Sequence, residues 1–355
     1  MKIASQINNT PNSSFYKSFA KTTNSLDFYP MLDLIIVGAG PIGLACGIEA
    51  QKAGLKYLIL DKGYLVNSIY NYPQSMTFFS TADKIEIGGI PFISQNVKPN
   101  RSEALEYYRR VTITLNLKVN LQEEILKINK NLRGFEVESE KSRYQSKRLI
   151  VATGFYDYAN KLNIPGEELK KVDHYYKDPH PYFNQDVAII GAANSAIDAA
   201  LELWRKGAHS VTMIVREKEI SERVKYWVRP DIINRIKEGS IKVYYQSQCV
   251  RIEEDALYLL QGQEEIKIKN DAVLALTGYK PDYKILNQLG SQFSEDASRK
   301  PIYESNTMES TVKGLYLAGV ICGGLETNKW FIENSRVHAS LIVENILKED
   351  NTDNP

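Results

Sequence analysis

The sequence predicts an α/β protein, because one pattern of strand, glycine turn, helix and second strand occurs twice along the chain. The first copy starts with the apolar run of residues 34–37, and the second starts with residues 187–190. Each run ends in glycine and is followed by a helical segment rich in small residues and by another apolar run. A further echo links residues 149–154 with residues 273–278, two apolar runs that both stop at Thr-Gly. Repeats of this kind predict parallel sheets with helices on both faces.

Length and composition indicate a globular protein of two domains. The chain has 355 residues, of which 43% are apolar and 25% are charged, and this length exceeds one ordinary core. Lys and Arg number 44 against 43 Asp and Glu, so no overall charge favours nucleic acid or an anionic membrane surface. The longest apolar run, residues 34–48, is interrupted by glycines and a proline and does not suit a membrane span. Three widely spaced cysteines exclude a disulfide framework or a zinc cage and fit a reducing cytoplasm.

The first glycine turn has the spacing of a dinucleotide-binding loop. Gly38 allows the tight turn, Gly40 lets backbone N–H groups approach a pyrophosphate, and Gly43 lets the helix pack closely on the strand. The phosphate charge would then lie at the N-terminus of the helix. Asp61 follows Gly38 by 23 residues, at the end of the next strand, where a carboxylate accepts both ribose hydroxyls and repels a 2′-phosphate. We therefore expect FAD or NAD at this site, and not NADP.

The second glycine turn departs from that pattern and is followed by basic residues. It reads Gly191-x-Ala193, so a methyl group stands where the backbone would approach phosphate. At the end of the next strand Arg216 replaces the acid, and Arg223 and Lys225 come shortly after. A guanidinium there matches a 2′-phosphate through charge-assisted hydrogen bonds. This second site is therefore expected to bind NADPH.

Two nucleotide sites in one chain suggest a hydride relay in which NADPH reduces a flavin, and this assigns the first site to FAD. Residues 314–319 predict the last strand of the FAD domain, which closes on Gly319. Flavin reductases commonly place an acid at the next position to hold the ribityl chain, and here that position is Val320. The whole pattern predicts two Rossmann-like dinucleotide-binding domains, with the NADPH-binding domain inserted into the FAD-binding domain.

The expected domain boundaries follow the two Thr-Gly motifs, which look like crossings between the domains. They give a disordered leader (1–30), an N-terminal FAD-binding segment (31–154), a crossing segment (155–182), the NADPH-binding domain (183–277), a C-terminal FAD-binding segment (278–348) and a frayed tail (349–355). Helices are predicted over residues 102–114, 230–238 and 333–348. The residues expected to contact a dinucleotide are Gly38, Gly40, Pro41, Ile42, Gly43, Asp61, Lys62, Thr153, Gly154, Gly191, Ala193, Asn194, Ser195, Arg216, Arg223, Lys225, Gly319, Val320 and Lys329.

Longer motifs make the chain resemble the bacillithiol-disulfide reductase family, flavoproteins with two dinucleotide-binding domains that are related to low-molecular-weight thioredoxin reductase. Among the most specific are YPQSMTFFST (72–81), VKYWVRPD (224–231) and ETNKWFIEN (326–334). The resemblance covers residues 31 to about 348. It implies FAD in the outer domain, NADPH in the inserted domain, a homo-oligomer, and reduction of an oxidised low-molecular-weight thiol, with bacillithiol disulfide as the favoured substrate.

The chain departs from its relatives at two cysteine positions. Thioredoxin reductase proper has a Cys-x-x-Cys pair in its inserted domain, and this sequence contains no such pair. Many members of the resembled family place a cysteine between the residues matching Pro41 and Gly43, whereas this chain has Ile42. A mechanism with a mixed disulfide at that position is therefore excluded here.

Catalytic residues stay unassigned from the sequence. Cys46 shares a helix face with small residues, and Cys249 lies in a strand, so both are expected to be structural. Cys322 follows the turn beside the expected flavin, and His338 could protonate a leaving thiolate. Core packing is the favoured interpretation of both. Lys329 begins a segment expected along the flavin, where a cation would stabilise the anionic reduced form.

Two other functions stay open at the level of sequence. Flavin monooxygenases also carry two dinucleotide-binding loops, although the Phe-x-Gly-x-x-x-His stretch usual before the second loop is incomplete here. A non-catalytic, redox-sensing flavoprotein is the other alternative, and Ile42 keeps it open because the family thiol is absent.

Overall fold

The computed structural model describes residues 30–353, so the predicted leader lies outside the described residues except for its last position. The strands, numbered in chain order, are β1 (Leu32–Val37), β2 (Tyr57–Leu60), β3 (Val119–Asn120), β4 (Ile125–Asn131), β5 (Gly134–Ser139), β6 (Arg143–Val151), β7 (Tyr158–Ala159), β8 (Val172–Asp173), β9 (Asp186–Ile190), β10 (Ser210–Ile214), β11 (Lys242–Tyr244), β12 (Ser247–Ile252), β13 (Ala256–Gln261), β14 (Glu264–Lys269), β15 (Ala272–Ala275), β16 (Tyr279–Lys280) and β17 (Leu315–Leu317).

The helices accompany two large sheets, a mixed one of seven strands and a parallel one of five. They are α1 (Pro41–Lys52), α2 (Asn67–Tyr70), α3 (Ala82–Ile85), α4 (Arg101–Thr114), α5 (Asn194–Arg205), α6 (Arg229–Lys237), α7 (Lys284–Gln288), α8 (Ile332–Ser335) and α9 (His338–Asp353), with 3₁₀ turns at His180–Tyr182 and Gly319–Gly323. Pro41 stands in the first turn of α1, where a missing N–H costs nothing. A capping box between Asn100 and Glu103 starts α4.

The larger sheet brings three chain segments to one edge. Its strand order is β3-β2-β1-β6-β5-β4, and β17 pairs with β6. The pairs between β3, β2, β1, β6 and β17 are parallel, and the register aligns Val37 and Leu317 with Val151. The residues that follow these three strand ends therefore lie side by side at the carboxyl edge, where ligands of open α/β sheets bind.

The smaller parallel sheet has the order β11-β10-β9-β15-β8, and an antiparallel sheet of β12, β13 and β14 packs beside it. The two predicted crossings contact each other, since β7 and β16 pair antiparallel. Asn160 and Thr277 tie them further, because the Asn160 amide donates to the Thr277 carbonyl (3.2 Å) and the Thr277 hydroxyl donates to the Asn160 carbonyl (2.8 Å). The chain thus passes between its two parallel sheets through one paired link.

The C-terminal helix differs from the sequence prediction. The helix predicted over residues 333–348 is split into α8 and α9. Arg336 stands at the break, and its guanidinium donates to the carbonyls of Asp83 (3.0 Å) and Glu86 (2.8 Å). The prediction of a frayed tail from residue 349 is wrong, since α9 continues to Asp353. Asp350 forms an ion pair with Arg148 at 2.7 Å, and this contact holds the last turns on the sheet. No helix among residues 30–353 is long and apolar enough to cross a membrane.

Candidate active site

The first glycine turn folds as its spacing predicts. Gly38 has φ +110°, and a Cβ there would lie 2.5 Å from the Ala152 carbonyl oxygen. A Cβ on Gly43 would lie 1.8 Å from the Gly38 carbonyl oxygen, so this glycine is required for the close approach of α1 to β1. A Cβ on Gly40 would meet no atom within 4 Å, because Gly40 faces an open pocket. Gly38 and Gly43 are thus required by the fold, and Gly40 is available to a ligand.

Asp61 closes this turn from the end of β2. Its carboxylate accepts the N–H of Ala39 (2.6 Å) on one oxygen and the N–H of Gly63 (2.7 Å) on the other. Each oxygen keeps a second lone pair for a further donor. Burial raises the pKa of the Asp61 carboxyl above its ordinary value, and the two backbone donors partly offset that rise.

The pocket at this edge contains most of the residues predicted to bind FAD. It brings together Gly38, Gly40, Pro41, Ile42, Asp61, Lys62, Thr153, Gly154, Gly319 and Val320. Lys62 forms an ion pair with Asp157 of the first crossing at 2.8 Å. The Thr153 hydroxyl is buried without a hydrogen-bond partner, and such an atom favours a bound polar ligand in the same pocket. The open face of Gly40, the Asp61 oxygens and the Thr153 hydroxyl all fit a dinucleotide.

Gly319 follows β17 and lines the same pocket. Its φ is +82°, and a Cβ there would lie 3.3 Å from the Ile42 side chain. The Gly319 N–H donates to Nδ1 of His338 at 3.1 Å. His338 is 2% exposed, and this burial lowers the pKa of its imidazole to about 4. The imidazole is therefore neutral near pH 7, and it fixes the turn that presents Val320 to the pocket.

The second glycine turn follows β9 of the smaller sheet, as the first glycine turn follows β1 of the larger sheet. Gly191 has φ +127°, and a Cβ there would lie 2.4 Å from the Leu276 carbonyl oxygen. Ala193 caps α5, and its extended backbone leads into Asn194 and Ser195. Arg216 is exposed just after β10 and has no ion pair among the described residues, so its guanidinium is free for an anion. Arg223 is exposed in the loop that follows.

Two more of the predicted contact residues, Lys225 and Lys329, lie outside the lining of the FAD pocket, and the backbone N–H of Lys225 donates to the Asn194 side chain at 2.8 Å. Lys225 is 8% exposed, and its ammonium pairs with Asp198 at 2.7 Å, because α5 already places an acid beside it. Lys225 is therefore not a free partner for a 2′-phosphate beside Arg216. Lys329 is exposed, and its ammonium lies 5.6 Å from the ring of its neighbour Trp330.

A second cavity, of about 660 Å³, lies between segments that flank the larger sheet and helix α5 of the smaller one, and we call it the shared cavity. One wall is the segment 72–80, and the other is the face of α5 that carries Asn194 and Ser195. Tyr72, Phe155 and Val320 line both this cavity and the FAD pocket. A ligand in the shared cavity therefore reaches the end of the FAD pocket that lies beside Gly319.

Comparison with known proteins agrees with this geometry. Residues 35–319 match the family model described as pyridine nucleotide-disulphide oxidoreductase. Bacilliredoxin reductase Bdr of Bacillus subtilis (strain 168) is 42% identical over 319 residues, which cover 89% of this chain and 98% of that protein. Bacillithiol disulfide reductase Bdr (YpdA) from Staphylococcus aureus is 41% identical, with a TM-score of 0.88 over 90% of this chain and 99% of that one. The protein of that name from Bacillus cereus is 42% identical, with a TM-score of 0.87 over 90% and 100%.

The chain belongs to the bacillithiol disulfide reductase family, within the pyridine nucleotide-disulphide oxidoreductases. It is a flavoprotein oxidoreductase that uses FAD and NAD(P)H. Its described fold is a mixed α/β fold with parallel sheets, as the sequence predicted.

This bacillithiol disulfide reductase family member has no cysteine in the lining of either cavity. Cys46, Cys249 and Cys322 are free and buried. Burial raises the pKa of the Cys46 thiol to about 12 and that of Cys249 to about 11, and it raises the pKa of Cys322 as well. Cys322 Sγ lies 3.9 Å from Nδ1 of His338. The expectation of core packing is confirmed for all three thiols, which are protonated near neutral pH.

Sequence reasoning missed the charged groups of α5 that line the shared cavity in this family member. Glu202 accepts hydrogen bonds from the hydroxyls of Ser75 (2.7 Å) and Tyr176 (2.9 Å). Burial and the neighbouring carboxylate together raise the pKa of Tyr176. The spacing of Asp198, Glu202 and Lys206 on one helix face was the available signal, but it is also the usual pattern of a solvated helix.

Proposed function

We propose that this oxidoreductase uses NADPH to reduce FAD and then reduces bacillithiol disulfide. The observation that carries the proposal is the wall shared by the FAD pocket and the larger cavity, where Val320 lines both. A disulfide held in the shared cavity could therefore approach the flavin. The names of the relatives at 41% and 42% identity support the substrate.

The domain arrangement belongs to this proposal. We propose two Rossmann-like domains, with FAD bound by residues 31–154 and 278–348 and NADPH bound by residues 183–277, joined through the crossing at 155–182. The pairing of β7 with β16 supports a hinge at that link, because it joins the two segments of residues 30–353 that cross between the sheets. Strand β8 pairs with β15, so the crossing also contributes to the smaller sheet.

The choice of NADPH rests on Arg216 and Arg223. Both are exposed after β10, the position where an NAD site carries an acid. The first site has Asp61 at the corresponding position, which suits the adenosine ribose of FAD. Bound FAD would accept a hydride from the nicotinamide and pass the electrons on.

The chain's own residues would bind and orient the substrate instead of forming a bond to it. Ile42 fills the place of the family thiol and packs against Gly319. His338 holds that turn through the Gly319 N–H. No protein thiol lines the route among the described residues, so we propose that the disulfide is reduced beside the flavin without a mixed disulfide to this chain.

We further propose a homo-oligomer in the cytoplasm with a small disulfide as its partner and no nucleic acid. The three free cysteines support a reducing compartment, and the near-balance of 44 basic and 43 acidic residues gives no support to nucleic-acid binding.

Steady-state oxidation of NADPH by the FAD-loaded protein tests the function. We expect oxidation to require bacillithiol disulfide and to be slow with oxygen alone. NADPH oxidation driven by oxygen, with hydroxylation of an added substrate and no response to disulfides, would favour a flavin monooxygenase. Flavin that NADPH reduces but no disulfide reoxidises would favour a redox-sensing flavoprotein.

A further inference from the structure

Four of the six charged residues that line the shared cavity pair with one another. Asp198 binds Lys225 at 2.7 Å, and Arg205 pairs with Asp231. The lining also contains Glu202 and Lys206. Among residues 30–353, neither of these two has an oppositely charged side chain within 4 Å. The cavity therefore keeps one uncompensated anion and one uncompensated cation.

Glu202 is oriented by the protein but not neutralised by it. Both of its donors, the hydroxyls of Ser75 and Tyr176, bond to the same oxygen, Oε2. The other oxygen, Oε1, accepts no hydrogen bond from the described chain and is not among its buried unpartnered atoms. A carboxylate held in this way is preorganised for a cationic ligand group.

Lys206 ends the same helix face. Glu202 and Lys206 are four residues apart, which is about 6 Å along the helix axis. Two residues at this spacing commonly pair with each other. Here Glu202 turns instead toward Ser75 on the opposite wall, so Lys206 is exposed and free to bind an anion.

We propose that Glu202 and Lys206 anchor a disulfide whose halves carry both an ammonium and a carboxylate, with Glu202 binding the ammonium and Lys206 the carboxylate. This inference rests on the proposed function for its ligand class. Bacillithiol fits, because each half of its disulfide has an amino group on the cysteine and carboxylates on the malate. The cavity of about 660 Å³ lies within the usual range for small-molecule sites, roughly 300–1,000 Å³.

Binding to the oxidised, FAD-loaded protein without NADPH tests the anchors apart from turnover. Trp227 and Trp330 line the cavity, so tryptophan fluorescence can report occupancy. The ligands are bacillithiol disulfide, cystamine, which carries only ammonium groups, and 3,3′-dithiodipropionate, which carries only carboxylates. The variant Glu202→Gln keeps an oxygen that accepts the Ser75 and Tyr176 hydroxyls and removes the charge.

We expect Glu202→Gln to weaken the binding of bacillithiol disulfide and of cystamine about tenfold and to leave the affinity for dithiodipropionate unchanged. Lys206→Gln should weaken the binding of bacillithiol disulfide and of dithiodipropionate by a similar factor and leave the affinity for cystamine unchanged. Glu222→Gln and Lys237→Gln, which change exposed residues outside the cavity, should leave all three unchanged.

Equal effects on all three ligands, no effect on any, or no binding to the wild-type protein would overturn the assignment of the anchors. The outcome for the proposed function is separate. Wild-type protein that binds with the expected selectivity but does not oxidise NADPH when bacillithiol disulfide is added would contradict the function and support the anchors. Turnover that neither substitution alters in KM would support the function and contradict the anchors.

Discussion

Substitution of two glycines in the first turn should affect cofactor binding and folding separately. Gly40 has an ordinary extended backbone, with φ −71° and ψ 174°, and a Cβ there meets nothing within 4 Å. Gly40→Ala should therefore fold normally, while its methyl group projects into the FAD pocket. Loss of one charge-assisted hydrogen bond to pyrophosphate costs about 1.5–3 kcal/mol, so FAD affinity should fall roughly ten- to a hundredfold.

Gly43→Ala is the matched substitution with the opposite expectation. Its Cβ would lie 1.8 Å from the Gly38 carbonyl oxygen and 2.9 Å from the Gly38 carbonyl carbon. Both atoms belong to the backbone, so α1 must move away from β1. Overpacking of this kind costs typically about 1–3 kcal/mol, and this contact is severe enough that we expect about 3 kcal/mol of lost stability.

Two assays on protein stripped of flavin distinguish the effects. Quenching of FAD fluorescence on titration gives the dissociation constant, and urea unfolding without FAD gives the free energy of unfolding. We expect Gly40→Ala to raise the FAD dissociation constant without changing the free energy of unfolding, and Gly43→Ala to lower the free energy of unfolding. If Gly40→Ala binds FAD as tightly as the wild type, the assignment of this turn as the pyrophosphate site is refuted.

Three further predictions concern nucleotide choice, pH and the C-terminal helix. Arg216→Asp should lower kcat/KM for NADPH at least about tenfold more than for NADH, because it removes a charge-assisted bond to the 2′-phosphate; equal losses would contradict the assignment. The pKa of His338 is lowered to about 4, so the unfolded chain binds the proton first, and stability should fall by up to about 3 kcal/mol as the pH drops from about 6.5 to 4. His338→Gln should reduce the change of the urea midpoint of unfolding over this pH range, and an unchanged dependence on pH would contradict the assignment of the effect to His338. Deletion of residues 349–355 leaves Arg148, which is 8% exposed, without Asp350, and should lower the free energy of unfolding by about 1–3 kcal/mol; no loss would show that these turns of α9 do not stabilise the sheet.

The sequence predicted the regions of the fold that depend on local pattern. Strands β1 and β9 follow from apolar runs that end at turns, and their boundaries agree with the predicted ones within two residues. The spacing of Gly38 and Asp61 located the pocket, because a positive φ and a carboxylate at a strand end have few substitutes.

The features that the sequence did not predict depend on contacts between distant segments. The hairpin strands β12, β13 and β14 carry charged residues on an exposed face, so their sequence pattern is weak. Lys225 looked like a free cation until folding placed Asp198 beside it. Glu202 became visible as a candidate only when Ser75, 127 residues away, was seen to bond to it.

The most direct test of the account is the reoxidation of reduced protein under anaerobic conditions. FAD-loaded protein is reduced with one equivalent of NADPH, and bacillithiol disulfide is then added while flavin absorbance and free thiol are followed together. We predict that the oxidised flavin spectrum returns with release of two thiols per flavin, in the protein with all three cysteines replaced by serine as in the wild type, provided that the variant retains FAD. Flavin that stays reduced, or reoxidation that disappears with the cysteines while FAD is retained, would contradict direct reduction of the disulfide beside the flavin.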